Sequence, residues 1–74
     1  MEETIKLIHD HMLKWGEFST PGALARRIGF DRSTVSVAFR EGLARGWYET
    51  RPSPTYINPQ TRGPSTEYRA VPRK

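Results

Sequence analysis

Residues 18–49 read FSTPGALARRIGFDRSTVSVAFREGLARGWYE, and the spacing of apolar residues and turn formers within them decides the fold. Thr20-Pro21 is a helix start: a hydroxyl that can cap free amides, then proline at the first helical position. Leu24, Ala25 and Ile28 repeat on one side of this short helix, Arg26 and Arg27 point away, and Gly29 ends it. Asp31 then offers a side-chain oxygen to the amides of Ser33 and Thr34, with a charge that suits the positive end of a helix. Val35, Ala38, Phe39, Gly42 and Leu43 follow at i, i+3, i+4, i+7 and i+8. That is one apolar face, and it predicts a helix from Arg32 to about Ala44, closed by Arg45-Gly46.

Toward the N-terminus, Ile5, Ile8, Met12 and Trp15 keep the same period, with Leu7 and Leu13 widening the stripe, so a first helix runs from Glu2 or Thr4 to Gly16. Beyond Gly46 the period changes to two. Trp47–Arg51 and Glu67–Val71 read as strands, and SPTYINPQTRGPST between them, with three prolines and a glycine, as a loop or irregular hairpin tip. Arg69 can pair with Glu49 across that hairpin, and the link around Phe18 can join the sheet. The expected fold is therefore α+β: three helices and a C-terminal β-hairpin, one domain over residues 1–71, with residues 72–74 a loose tail. Trp15, Phe18, Phe30, Phe39 and Trp47 fall on apolar faces or at element junctions and are assigned to the core.

The second and third helices, joined by a tight turn at Gly29, make a helix-turn-helix, the motif that lays its second helix in the major groove of DNA. Ala25 is small where the helices approach, Phe30 and Val35 fill the space beneath, and Ile28 and Ala38 complete the seam. Over LARRIGFDRSTVSVAFREGLARGW, residues 24–47, the leucine-alanine, glycine, threonine-valine, leucine and glycine-hydrophobic spacing resembles the winged helix-turn-helix superfamily of bacterial and phage DNA-binding proteins. The first helix and the hairpin fit the remainder of that fold, the hairpin as its wing.

Charge agrees with a polyanionic partner. Residues 1–31 carry four basic and five acidic side chains, net −1, whereas residues 32–74 carry eight and three, net +5. Other classes find no support. With no cysteine there is neither a disulfide framework nor a thiolate zinc site, which fits a reducing compartment. His9 and His11 are two apart on a helix and cannot share a metal as an i, i+4 pair could, so no metal and no cofactor is expected. The serines have no neighbouring histidine and acid, and no glycine loop cradles a phosphate, so the chain is not expected to be an enzyme. No run approaches the ~20 apolar residues of a membrane span, and the expected location is the cytoplasm.

If the third helix enters the major groove, its outward residues Arg32, Ser33, Ser36, Val37 and Arg40 read bases, the arginines by bidentate pairs to guanine and Val37 against a thymine methyl. Ser19, Thr20, Arg26, Arg27, Thr34 and Arg51 are the expected backbone contacts. Arg62, before Gly63 at the hairpin tip, resembles the wing arginine that such proteins insert into a narrow minor groove. The expected function is sequence-specific recognition of double-stranded DNA by a small regulator, a repressor acting by occlusion in the simplest case. A homodimer is the expected way to enlarge the site. The alternatives are a recombination or replication accessory module, and a protein-interaction module that docks through Tyr56 and Ile57.

Overall fold

A computed structural model describes residues 1–57 and 63–73, apart from the side chains of Thr55 and Tyr56. Three helices, α1 (Glu2–Trp15), α2 (Pro21–Ile28) and α3 (Arg32–Ala44), precede an antiparallel hairpin of β1 (Tyr48–Ile57) and β2 (Pro64–Ala70). This is the expected α+β arrangement, and it is compatible with a winged helix. No helix among the described residues is long and apolar enough to cross a membrane.

The helix boundaries follow local chemistry. Thr20 caps α2, its Oγ1 accepting from the Ala23 amide at 3.2 Å, with Pro21 in the first turn. At the other end the amides of Gly29 and Phe30 both donate to the Ala25 carbonyl, a closure that needs the left-handed φ of 76° at Gly29. Asp31 holds the N-cap position of α3, but its side chain makes no capping bond, contrary to expectation. Its carboxylate is exposed to solvent, so the amides of the first turn of α3 lack a side-chain acceptor.

The core is Ile5, Ile8 and Met12 of α1, Leu24 and Ala25 of α2, Val35, Ala38 and Phe39 of α3, and Tyr48 of β1. It is narrower than the apolar pattern implied. Leu7, Leu13, Trp15 and Leu43 are 38–46% exposed. The stripe of α1 that faces its partners spans only Ile5, Ile8, His9 and Met12, and Trp15, on the last turn, instead carries the Arg27 guanidinium 3.9 Å above its ring. On α3 the buried face ends at Gly42, which lies directly under the Tyr48 ring. Tyr48 in turn meets the Phe39 ring at a tilt (5.0 Å between centroids) and the Tyr68 ring edge to face (6.0 Å). Its hydroxyl is buried with no hydrogen-bond partner among the described residues, and burial pushes the phenol well above its ordinary range.

The hairpin is longer than the alternation of its sequence suggested. Pairing runs from Tyr48↔Ala70 to Pro52↔Thr66, breaks register, and resumes at Ile57↔Pro64, inside the stretch expected to be loop. Proline ends strands by lacking an N–H; here Pro52 and Pro54 lie on β1, and β2 is the strand that pairs on both sides, with β1 and with Ser19 through two 2.8 Å bonds to Tyr68. The pairing expected near Phe18 therefore falls on the next residue.

His9, set aside as a metal ligand by its spacing, is fully buried. Its Nε2 lies 3.0 and 2.8 Å from the carbonyls of Trp47 and Val71, and its Nδ1 lies 2.9 Å from an Arg73 nitrogen. Carbonyls only accept and guanidinium only donates, so Nε2 carries the proton and Nδ1 is bare. Arg73, expected in a loose tail, is thus tied to α1, where it also pairs with Asp10 at 3.0 Å.

Candidate nucleic-acid interface

The surface of α3 away from the core is where a groove-reading helix must carry its chemistry. At 100° per residue, Ser33, Val37, Arg40 and Ala44 fall within an arc of about 60° opposite Val35, Phe39 and Gly42. Ser33, Arg40 and Ala44 are exposed, Ser36 and Val37 half-buried, and Thr34, at the edge toward the core, half-buried as well. Arg40 forms no ion pair among the described residues.

Arg32 departs from this arc. Its side chain runs back beside the first turn of α2, so that a Cβ on Gly22 would stand 3.7 Å from its Nε and 3.8 Å from its Cδ. There it joins an open groove between the N-terminal ends of α2 and α3 and the hairpin, with Thr20, Arg26, Asp31 and Thr66 on its walls. Nothing in the spacing of the sequence points to Gly22; only the approach of the two helix starts shows that Arg32 lies beside it.

The other expected contacts divide sharply. Arg26 is exposed and without an acidic partner among the described residues. Arg27 is exposed but lies on Trp15. Ser19 is 6% exposed, its hydroxyl bonded to the Thr20 carbonyl and its backbone to β2, so it belongs to the frame. The Thr20 hydroxyl is engaged in capping α2. Arg62, and the side chain of Tyr56, lie outside the described residues, while Ile57 is 71% exposed.

Arg51 is the clearest change from the sequence picture. Its Nε donates to Glu67 at 2.8 Å while the guanidinium lies 4.0 Å over the Phe18 ring. On the same face of the hairpin Arg69 pairs with Glu49 and lies 4.8 Å from the same ring. Two arginines and two glutamates neutralise one another there. Arg45 forks onto Glu2 with contacts of 2.5 and 2.6 Å, and that hydrogen bonding holds the Glu2 carboxyl below the usual carboxylate value. Among the described residues, the arginines of α2 and α3 that form no ion pair are Arg26, Arg27, Arg32 and Arg40.

Comparison with protein-family models, curated proteins and solved structures returns no match.

Proposed function

We propose that the chain is a sequence-specific double-stranded-DNA-binding domain that lays α3 in the major groove and the hairpin alongside, in the manner of a winged helix. The observation that carries this reading is the separation of charge. Arg51 and Arg69 of the hairpin, Arg45 at the end of α3 and Arg73 are matched by carboxylates, whereas Arg26, Arg32 and Arg40, around the start and outer side of the helix-turn-helix, form no ion pair among the described residues. Beside Arg40 the same surface offers Ser33, Ser36 and Val37, short side chains that let a helix approach base edges and a methyl-bearing one suited to thymine.

The simplest role is that of a cytoplasmic regulator of bacterial or phage type that covers a promoter. One module of this kind buries only ~600–1,000 Å² on DNA, so a second copy or a cooperative neighbour completes the specificity. The exposed Ile57 favours a second reading, in which the hairpin docks on a protein. Fluorescence-anisotropy titration against a mixed duplex library at two salt concentrations separates the two. DNA binding weakens steeply as salt rises, and the Arg32→Ala, Arg40→Ala double variant loses sequence selection. No duplex affinity at low salt, or unchanged selection by the double variant, rejects α3 as the reading element.

A further inference from the structure

We infer that Arg32 and Arg40, alike in the sequence as outward arginines of one helix, have different tasks: Arg40 is the specificity-determining residue that reads a guanine, and Arg32 is a positioning residue that holds the DNA backbone. The inference rests on the DNA-binding reading above and refines it.

Geometry separates the two side chains in two directions. Eight residues at 1.5 Å put their Cα atoms about 12 Å apart along α3, more than three base-pair steps of 3.4 Å. The same eight residues rotate them about 80° around the axis. Arg40 shares its arc with Ser33, Val37 and Ala44, the side chains that leave the helix on the surface farthest from Val35 and Phe39. Arg32 lies off that arc, and its Nε and Cδ sit against Gly22 in the first turn of α2.

The neighbours of each guanidinium then decide what it can hold. Arg40 forms no ion pair among the described residues, and the half-buried Val37 one turn earlier supplies an apolar contact beside any base it reaches. A planar fork free in two directions matches the two acceptors of guanine in the major groove. Arg32 instead shares its groove with Arg26, with the hydroxyl-bearing Thr66 of the hairpin, and with one carboxylate, Asp31. Two guanidinium groups against one carboxylate attract a strand phosphate without regard to base, and a side chain laid along the start of α2 is not extended toward base edges.

Single variants test the division, read by anisotropy with the duplex that the wild-type chain selects and with its single-base-pair substitutions, over a range of salt, with circular dichroism to verify folding. Arg32→Ala is expected to weaken every duplex by a common factor and to lower the slope of log K against log salt by about 1, with the order of preference intact. Arg40→Ala is expected to erase preference at one G·C position, a loss of roughly tenfold to hundredfold in discrimination there. The conservative changes add a second readout: Arg32→Lys keeps most of the affinity because a point charge still serves a phosphate, whereas Arg40→Lys loses most of the discrimination because the fork is gone. If Arg32→Ala relaxes selection at a base pair, or Arg40→Ala weakens all duplexes equally, the division of tasks is wrong while DNA binding stands. If the wild-type chain binds no duplex, both fall.

Discussion

Gly42→Ala is the substitution that tests the packing beneath α3 most directly. A Cβ at this position would stand 2.8 Å from Tyr48 Cδ2 and closer still to Cε2. The ring has nowhere to go, since Tyr48 is 5% exposed and flanked by Phe39, His9 and Tyr68 with ring centroids 5.0, 5.2 and 6.0 Å away. Overpacking of this kind costs about 2–3 kcal/mol, and replacing glycine by alanine inside a helix returns about 1 kcal/mol. A net loss of about 1–2 kcal/mol remains. With an unfolding entropy near 2.1 cal/mol/K per residue, each kcal/mol lowers Tm of a chain this size by about 6 °C, so the expected drop is about 6–13 °C. Thermal melting followed by circular dichroism measures it. Gly22→Ala serves as the control, because its new methyl meets only Arg32 at an ordinary 3.7 Å, and Tm should hold or rise. In a Tyr48→Leu background Gly42→Ala should cease to destabilise, the nonadditivity expected of touching residues. A Gly42→Ala chain that melts at or above the wild type would refute the ring-on-glycine packing.

Three further outcomes follow from the same contacts. Tyr48→Phe removes a buried hydroxyl that has no partner among the described residues and should leave stability unchanged or raise it by up to about 1 kcal/mol in urea titration; a clear loss would mean that the hydroxyl is hydrogen-bonded. Arg51→Ala should lower duplex affinity less than Arg26→Ala does at the same low salt, because Glu67 already matches its charge, and equal losses would contradict that pairing in solution. For Glu2, whose carboxyl is held low chiefly by its hydrogen bonds to Arg45, stabilisation is present above the unfolded carboxylate value of 4.5 and disappears as pH falls through the lower folded value. Glu2→Gln should therefore flatten the acid limb of a stability profile, slightly given the exposure of the pair, and an unchanged limb would count against it.

The helix pair α2 and α3 is legible in the sequence because its information is local. Thr20-Pro21, Gly29 and Arg45-Gly46 punctuate the chain by their own backbone chemistry, and the three-to-four spacing of Leu24, Val35, Ala38 and Phe39 marks faces that need no knowledge of the partner. Periodicity overreaches where burial depends on whether a neighbour extends that far. Leu7, Leu13 and Leu43 fit the pattern but stay 38–46% exposed, and Trp15, 45% exposed, meets the Arg27 guanidinium rather than the core. The hairpin is the reverse case: Pro52 and Pro54 argue against a strand in isolation, yet β1 pairs with β2 as far as Pro52 and, past a break in register that holds Pro54, again at Ile57.

The interface needed the fold more than the core did. A sequence gives the sign of each charge and nothing about its partner, so Arg51 and Arg32 look equivalent until Glu67 is found against one and Gly22 beside the other. Among the described residues, pairing leaves Arg26, Arg27, Arg32 and Arg40 of α2 and α3 as the arginines without an ion pair. That contraction sharpens the expectation for DNA. Four guanidinium groups without an ion pair among the described residues, those of Arg26, Arg27, Arg32 and Arg40, still make binding clearly salt-dependent but release fewer counterions than a broad basic surface would. The balance then tilts from charge toward base contact, and selection by Arg40 and Val37 has to supply what bulk attraction does not.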